Sequence, residues 1–325
     1  PRHNPAMLDP LEEHYGYLAD RVKRERYQAT IDKLVGPEHV VLDLGCGSGM
    51  LGLMALRAGA KRVLFVEEGA VIEIARRTIA EADLDERAEF FQENSYKLEL
   101  PELADIILCD HVGYFGFDYD ILGMLADAKK RLLKPDGIIV PAVIELNLAP
   151  VESEACRKLV SQWRDGSVAG DYAWVTTIAA NTKHAVNVEG SDLLAEPVTF
   201  ASLELGDDAA DFFTWQVDFA CVRDATFDGL VGWFDCVLHD DIRMTNGPQE
   251  NDNLDRSQAF LPLEEPISLK AGQRLEATIM ARPHDHVIAW TISSPDTGQR
   301  FEFSTFNGIA LENRLRKMFT QDSGQ

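Results

Sequence analysis

The sequence is short of basic residues, has no paired cysteine motif and no long apolar run, and each shortage removes a class of function. Lys and Arg total 31 against 54 Asp and Glu, a formal net charge of −23. Neutralising phosphates needs a basic surface, so no nucleic-acid partner is expected. An acidic field instead draws cationic partners from a distance. The 5 cysteines, at 46, 109, 156, 221 and 236, form no Cys-x-x-Cys pair. A scattered, odd set fits reduced thiols better than a disulfide framework. No apolar stretch approaches the roughly 18 residues of a membrane span, and no charged-then-apolar leader stands before the first helix. The expectation is a cytoplasmic chain with no membrane partner. There is no internal repeat and no low-complexity tract.

What is present is enough for two domains: 325 residues, 46% of them hydrophobic. The first 140 alternate apolar strands with helices. Val40–Leu44, Val63–Val66, Ala88–Phe91, Asp105–Cys109 and Ile138–Val140 read as strands. Met50–Ala58, Ala70–Ala82 and Asp118–Leu133 read as helices, the last closed by Lys134-Pro135-Asp136-Gly137. That alternation predicts an α/β domain with a doubly wound parallel sheet over residues 1–140. After Pro141 the period changes to two, as in Ile144–Leu148, Thr214–Phe219, Leu275–Ile279 and Val287–Ile292. Residues 141–325 are therefore expected to form an antiparallel, β-barrel-like domain. About residues 152–181 interrupt it with a helical segment that contains Trp163 and Trp174.

The chemistry-bearing motif is Asp43-Leu44-Gly45-Cys46-Gly47-Ser48-Gly49, a glycine-rich turn directly after a buried strand and before a helix. Nucleotide-like ligands sit at such turns. Gly45 and Gly47 permit close approach of backbone to ligand. Asp43 ends the strand, where a carboxylate orients a water or a cationic amino group. Glu67 ends the next strand, placed to accept from both hydroxyls of a ribose, with Glu68 beside it. Cys46 and Cys109 read as small apolar filler. His284-Asp285-His286 puts two histidines on one face of a strand, but no third ligand is near, so no metal site is expected.

Val41–Gly49, Ala58–Val63 and Val66-Glu67, together with His14, Leu18, Asp20, Val22, Lys23 and Tyr27, closely resemble the cofactor half of protein arginine methyltransferases. The strand order after Phe219 is similar to that family's barrel half. The resemblance implies S-adenosyl-L-methionine as cofactor and a methyl acceptor, peptide or small molecule, that is cationic. Lys23, standing where the family has arginine, would pair with the cofactor carboxylate, and His14 would lie by the ribose or the reacting centre. Ser95 and Tyr96 would contact adenine. The helical segment at 152–181 stands where the family inserts a dimerisation arm, which implies a homodimer.

The resemblance also places the acceptor on the loop Cys109–Asp120. There Asp110 replaces the first of two glutamates, and an ungapped register sets Tyr119 at the second, with Asp118 and Asp120 on either side. His111 replaces a tryptophan and is a candidate proton acceptor or a structural histidine. Where the family carries Thr-His-Trp, this chain has Leu254-Asp255-Arg256, so an Asp20–Arg256 ion pair would stand in for the lost histidine contact. The expected function is methyl transfer to a nitrogen of a peptide or small basic metabolite; the alternatives are a carboxylate, hydroxyl or imidazole acceptor, or a non-catalytic cofactor-binding scaffold.

Overall fold

A computed structural model describes residues 11–208, 210–249 and 251–308. The outer ends of both expected domains lie outside the described residues. The chain divides into two units. One contains the described residues up to Glu145 with 202–208 and Phe234–Arg256; the other contains 146–201, 210–233 and the described residues from 257 onward.

The first unit opens with two helices, α1 (Leu11–Ala19) and α2 (Arg21–Leu34). Asp20 separates them: its Oδ1 accepts from the Lys23 amide at 3.0 Å, an N-cap that satisfies one orphan donor of α2. The parallel sheet follows as β1 (Val40–Leu44), α3 (Met50–Arg57), β2 (Arg62–Val66), α4 (Ile72–Glu81), β3 (Ala88–Phe91), β4 (Ala104–Leu108), α5 (Ile121–Arg131) and β5 (Leu133–Val140). Spatial order is β3-β2-β1-β4-β5, all parallel. Every residue of β1 is buried, as a strand covered on both faces requires. Each such large apolar side chain contributes about 1.5–3 kcal/mol on burial. α2 is anchored by Tyr27, whose buried hydroxyl donates to the Cys109 carbonyl at 2.7 Å.

Two boundaries differ from the sequence expectation. The tetrapeptide Lys134–Gly137, expected to close a helix, continues β5 instead. β5 is an edge strand with one partner, so Pro135 need not donate to a ladder, and a register shift opposite Ala104–Ile106 absorbs the irregularity. The expected helix from Asp118 begins only at Ile121, because Tyr119 and Asp120 take left-handed backbone conformations, φ +57° and +56°.

The remaining strands are β6 (Val143–Val151), then, after helices α6 (Glu154–Ser161) and α7 (Val175–Ala180), β7 (His184–Val186), β8 (Val198–Glu204), β9 (Phe213–Ala220), β10 (Ala225–His239), β11 (Ile242–Thr245), β12 (Gln258–Leu269), β13 (Arg274–Arg282), β14 (Val287–Ser294) and β15 (Gln299–Ser304). The first unit holds the hairpin of Asp235–His239 with β11. The antiparallel strands form two sheets, with spatial orders β7-β12-β10-β6-β8 and β15-β14-β13-β9. No closed barrel forms among the described residues. β13 shows the expected alternation of exposed and buried positions. His284 and His286 are not on a strand: they occupy a turn before β14, with His286 left-handed at φ +54°. In the second unit Trp163 and Phe303 pack against the cluster of Val160, Ala179 and Ala180, whereas Trp174 is 60% exposed.

Candidate functional site

In an open parallel sheet, ligands bind beyond the carboxyl ends of the strands where the winding reverses. Here that point lies between β1 and β4. The loops after β1, β2 and β4 meet there with α1 and the first turn of α2 around a cavity of about 240 Å³.

The floor is the glycine turn. Gly45, Gly47 and Gly49 have φ of +68°, +51° and +81°, a run that side-chain-bearing residues rarely adopt. Glu67 holds the turn closed: its Oε2 accepts from the Gly47 amide (3.1 Å) and its Oε1 from the Gly69 amide (2.7 Å). Asp43 is buried beneath, where its Oδ2 accepts from the Gly52 amide in the first turn of α3 at 2.7 Å. Burial pushes its carboxyl up to about 7, with Glu67 and Asp110 adding to the rise and the Gly52 amide opposing it. Cys46 also lines the cavity, and burial pushes its thiol up, so it is an inert apolar filler.

One wall is helical. His14, Tyr17 and Leu18 present one face of α1, at the i, i+3, i+4 spacing of neighbours on a helix. Tyr17, absent from the sequence-based candidates, was legible from that spacing alone. Its ring lies under the Lys23 ammonium, 4.5 Å from ring centroid to Nζ. Lys23 is 1% exposed and its Nζ donates to Asp110 Oδ2 at 2.8 Å. Burial lowers its pKa, against the raising effect of Asp110.

The opposite wall is the loop after β4. Asp110 Oδ2 also receives Arg256, whose guanidinium donates to it at 3.4 Å and to the Gly113 carbonyl at 3.0 Å. Burial raises the Asp110 carboxyl, but Arg256 and Lys23 outweigh it and hold the group below the ordinary carboxylate range. Its Oδ1 is buried with no hydrogen-bond partner among the described residues. Asp20 uses its Oδ2 to accept from the Asp255 amide at 3.1 Å, so the loop that carries Arg256 is fastened to the α1–α2 junction through backbone. The His111 ring rests on Gly45, and its Nδ1 lies 3.6 Å from Cys109 Sγ. Burial lowers the His111 pKa, with Asp110 and Glu67 opposing, so the ring is neutral near pH 7.

The acidic residues farther along the loop diverge in their roles. Asp118 Oδ2 accepts from the amides of Tyr114 (3.0 Å) and Phe115 (2.8 Å), and its Cβ fills the space beside Gly113, φ +62°. It shapes the loop and does not line the cavity. Tyr119 lines the cavity with its ring edge-on to His111, centroids 6.3 Å apart. Asp120 turns away, and its Oδ2 accepts from the Tyr96 hydroxyl at 2.6 Å. Glu68, Ser95 and Tyr96 do not line the cavity; Asn94 joins their segments, with Nδ2 donating to Glu68 at 3.0 Å and Oδ1 accepting from the Tyr96 amide.

The cavity thus has carboxyl groups at Asp43, Glu67 and Asp110, a buried cation at Lys23 and a neutral imidazole at His111. Those groups fit S-adenosyl-L-methionine, which carries an ammonium, a sulfonium, two ribose hydroxyls and a carboxylate. Lys23 would hold the carboxylate and Glu67 the ribose.

Comparison with known proteins agrees. Residues 28–182 match the family profile described as ribosomal protein L11 methyltransferase (PrmA), and residues 148–310 match that described as PRMT5 oligomerisation domain. Protein arginine N-methyltransferase 6 of Xenopus tropicalis is 25% identical over 84% of this chain and 84% of its own. An arginine N(omega)-methyltransferase of Streptomyces achromogenes subsp. streptozoticus is 26% identical over 81% of this chain and 74% of its own. Among solved structures, the Trypanosoma brucei PRMT1 enzyme-prozyme heterotetrameric complex with AdoHcy superposes with a TM-score of 0.80 at 19% identity, covering 93% of this chain and 99% of that one.

Proposed function

This chain belongs to the protein arginine methyltransferase family and is an S-adenosyl-L-methionine-dependent methyltransferase, and from that premise we propose that its acceptor is a nitrogen of a peptide or small basic metabolite. The observation that carries the proposal is the convergence of the left-handed Gly45–Gly49 turn, Glu67, Lys23 and Asp110 on one cavity. When bound, the cofactor would supply an electrophilic methyl carbon for transfer from its sulfonium to the acceptor nitrogen, leaving a neutral thioether. The chain's own role is to hold the acceptor lone pair about 3 Å from that carbon and in line with the C–S bond. Asp110 orients the acceptor. Neutral His111 accepts the proton that the methylated nitrogen sheds and passes it to water.

Asp110, His111 and Tyr119 are the residues we place beside the acceptor, with Asp118 and Asp120 shaping their loop. His14, Lys23, Asp43, Gly45, Cys46, Gly47 and Glu67 surround the cofactor, and Glu68, Ser95 and Tyr96 flank its adenine. A hydroxyl acceptor is the second reading, which His111 favours as a neutral base beside the acceptor. The test is product mass spectrometry over peptides and small molecules that present guanidinium, amine, imidazole, hydroxyl and carboxylate groups. Methyl on nitrogen is expected. Methyl on oxygen would overturn the nitrogen reading, and calorimetry with no S-adenosylhomocysteine binding would sink both.

We also propose a cytoplasmic homodimer. No helix among the described residues is long and apolar enough to cross a membrane. Val168, Tyr172 and Trp174 leave apolar surface exposed in the segment between α6 and α7, within the stretch that matches an oligomerisation domain. A monomeric mass by light scattering at micromolar concentration would contradict the dimer.

A further inference from the structure

Two requirements of a buried carboxylate come apart at Asp110. Its charge is met twice over, because Lys23 and Arg256 both reach Oδ2. Its hydrogen bonding is not met, because Oδ1 is buried with no partner among the described residues. Asp110, which lines the cavity, therefore carries two cations on one carboxylate, and Asp20 is the further acidic group that acts on both. A third cation brought to Oδ1 is repelled by the two cations already held on that carboxylate, one of them a guanidinium that is 11% exposed, fixed as well by the Gly113 carbonyl and set 5.6 Å from the Tyr17 ring centroid. A neutral N–H donor meets no such repulsion, since a carboxylate with a vacant oxygen still gains from it.

We propose that Arg256 is a specificity-determining residue: it occupies Asp110 as an internal cation, so that the acceptor presents an uncharged N–H, as an imidazole or an amine in its neutral form does, and guanidinium acceptors are turned away. The inference rests on the methyltransferase reading above, in which the acceptor lies beside Asp110. The overall negative charge gathers cationic molecules from a distance, and Arg256 sorts them at the reacting centre by the charge on the nitrogen itself.

The test reads binding rather than turnover, so it fails separately from the methyltransferase reading. N-acetyl-arginine amide and N-acetyl-citrulline amide have nearly the same shape and differ by one charge. Their affinities are measured by calorimetry on the S-adenosylhomocysteine complex of the full chain. In the wild-type protein the arginine probe binds no tighter than the citrulline probe. Arg256→Gln frees Asp110, and affinity for the arginine probe rises at least tenfold while the citrulline probe changes less than threefold. Arg256→Lys keeps the internal cation and keeps the wild-type order. A tenfold wild-type preference for the arginine probe overturns the proposal, as does no gain in Arg256→Gln or an equal gain in Arg256→Lys. Should the Gln variant fail to fold, the wild-type and Lys comparisons decide it by the same criteria.

Discussion

The His111 imidazole lies in the volume that a side chain on Gly45 would need. A residue on the loop after β4 and a glycine on the loop after β1 are thus fitted to each other before any ligand enters. Two costs follow for Gly45→Ala: about 1–2 kcal/mol for a left-handed residue with a Cβ, and about 1–3 kcal/mol for overpacking against the ring. Urea denaturation of Gly45→Ala, His111→Ala and the double variant separates them. The double variant recovers the overpacking cost and not the backbone cost, giving a coupling energy of about 1–3 kcal/mol. Additive single effects would contradict the fit.

Asp43 makes the stability of the unliganded protein depend on pH. Its carboxyl is pushed up to about 7, first by burial, from an ordinary value of 3.8. Between those values the native protein binds a proton that the unfolded chain does not, so its contribution to stability is full below about pH 4 and is lost as pH rises through about 7. At about 1.4 kcal/mol per unit, the full change is on the order of 4 kcal/mol. Asp43→Asn removes it. The difference in unfolding free energy between wild type and variant should therefore slope across pH 4 to 7 and level off above; a flat difference would contradict the assignment.

Lys23 is paired with Asp110 and is proposed to hold the cofactor carboxylate as well. Removing one partner of a buried ion pair costs about 3–5 kcal/mol, and Arg256 remains to limit the loss, so Lys23→Met is expected to cost about 3 kcal/mol. S-adenosylhomocysteine affinity should fall by tenfold or more in calorimetry. Lys23→Arg should keep most of both, because it retains the charge and adds donors. Equal loss in both variants would show that shape, not charge, sets the contact.

Asp118 carries a different expectation, since it serves the loop backbone. Asp118→Ala leaves the Tyr114 and Phe115 amides without their acceptor, a loss of about 1–3 kcal/mol. Asp118→Asn keeps one acceptor oxygen and should restore some of it. Cofactor affinity should stay within about twofold in both; a tenfold change would place Asp118 in the cofactor pocket.

The glycine turn and its acidic neighbour were legible in the sequence because their signals are local. A buried strand, a glycine run, a helix and a carboxylate at the end of the next strand lie within residues 40–67, and parallel pairing places β1 beside β2. Tyr17 was within reach by helical spacing. The loop after β4 was less legible because its geometry is long-range. Nothing near Asp118, Tyr119 or Asp120 announces which one faces the cavity; that follows from two left-handed residues and from a tyrosine hydroxyl 24 residues away. The sequence register paired Arg256 with Asp20, whereas the structure sends its guanidinium to Asp110 and Gly113. Pro135 misled for the opposite reason: a local breaker signal was overridden by the edge position of β5.

Arg256 stands 146 residues downstream of Asp110, on the short connection between β11 and β12. The residues proposed to cradle the cofactor all precede Asp110 in the chain. Heredity can therefore edit the two independently. A single codon in that connection can release the carboxylate or claim it again, while the cradle for the methyl donor is passed on unaltered. Relatives with the same donor are in this way free to diverge in what they accept.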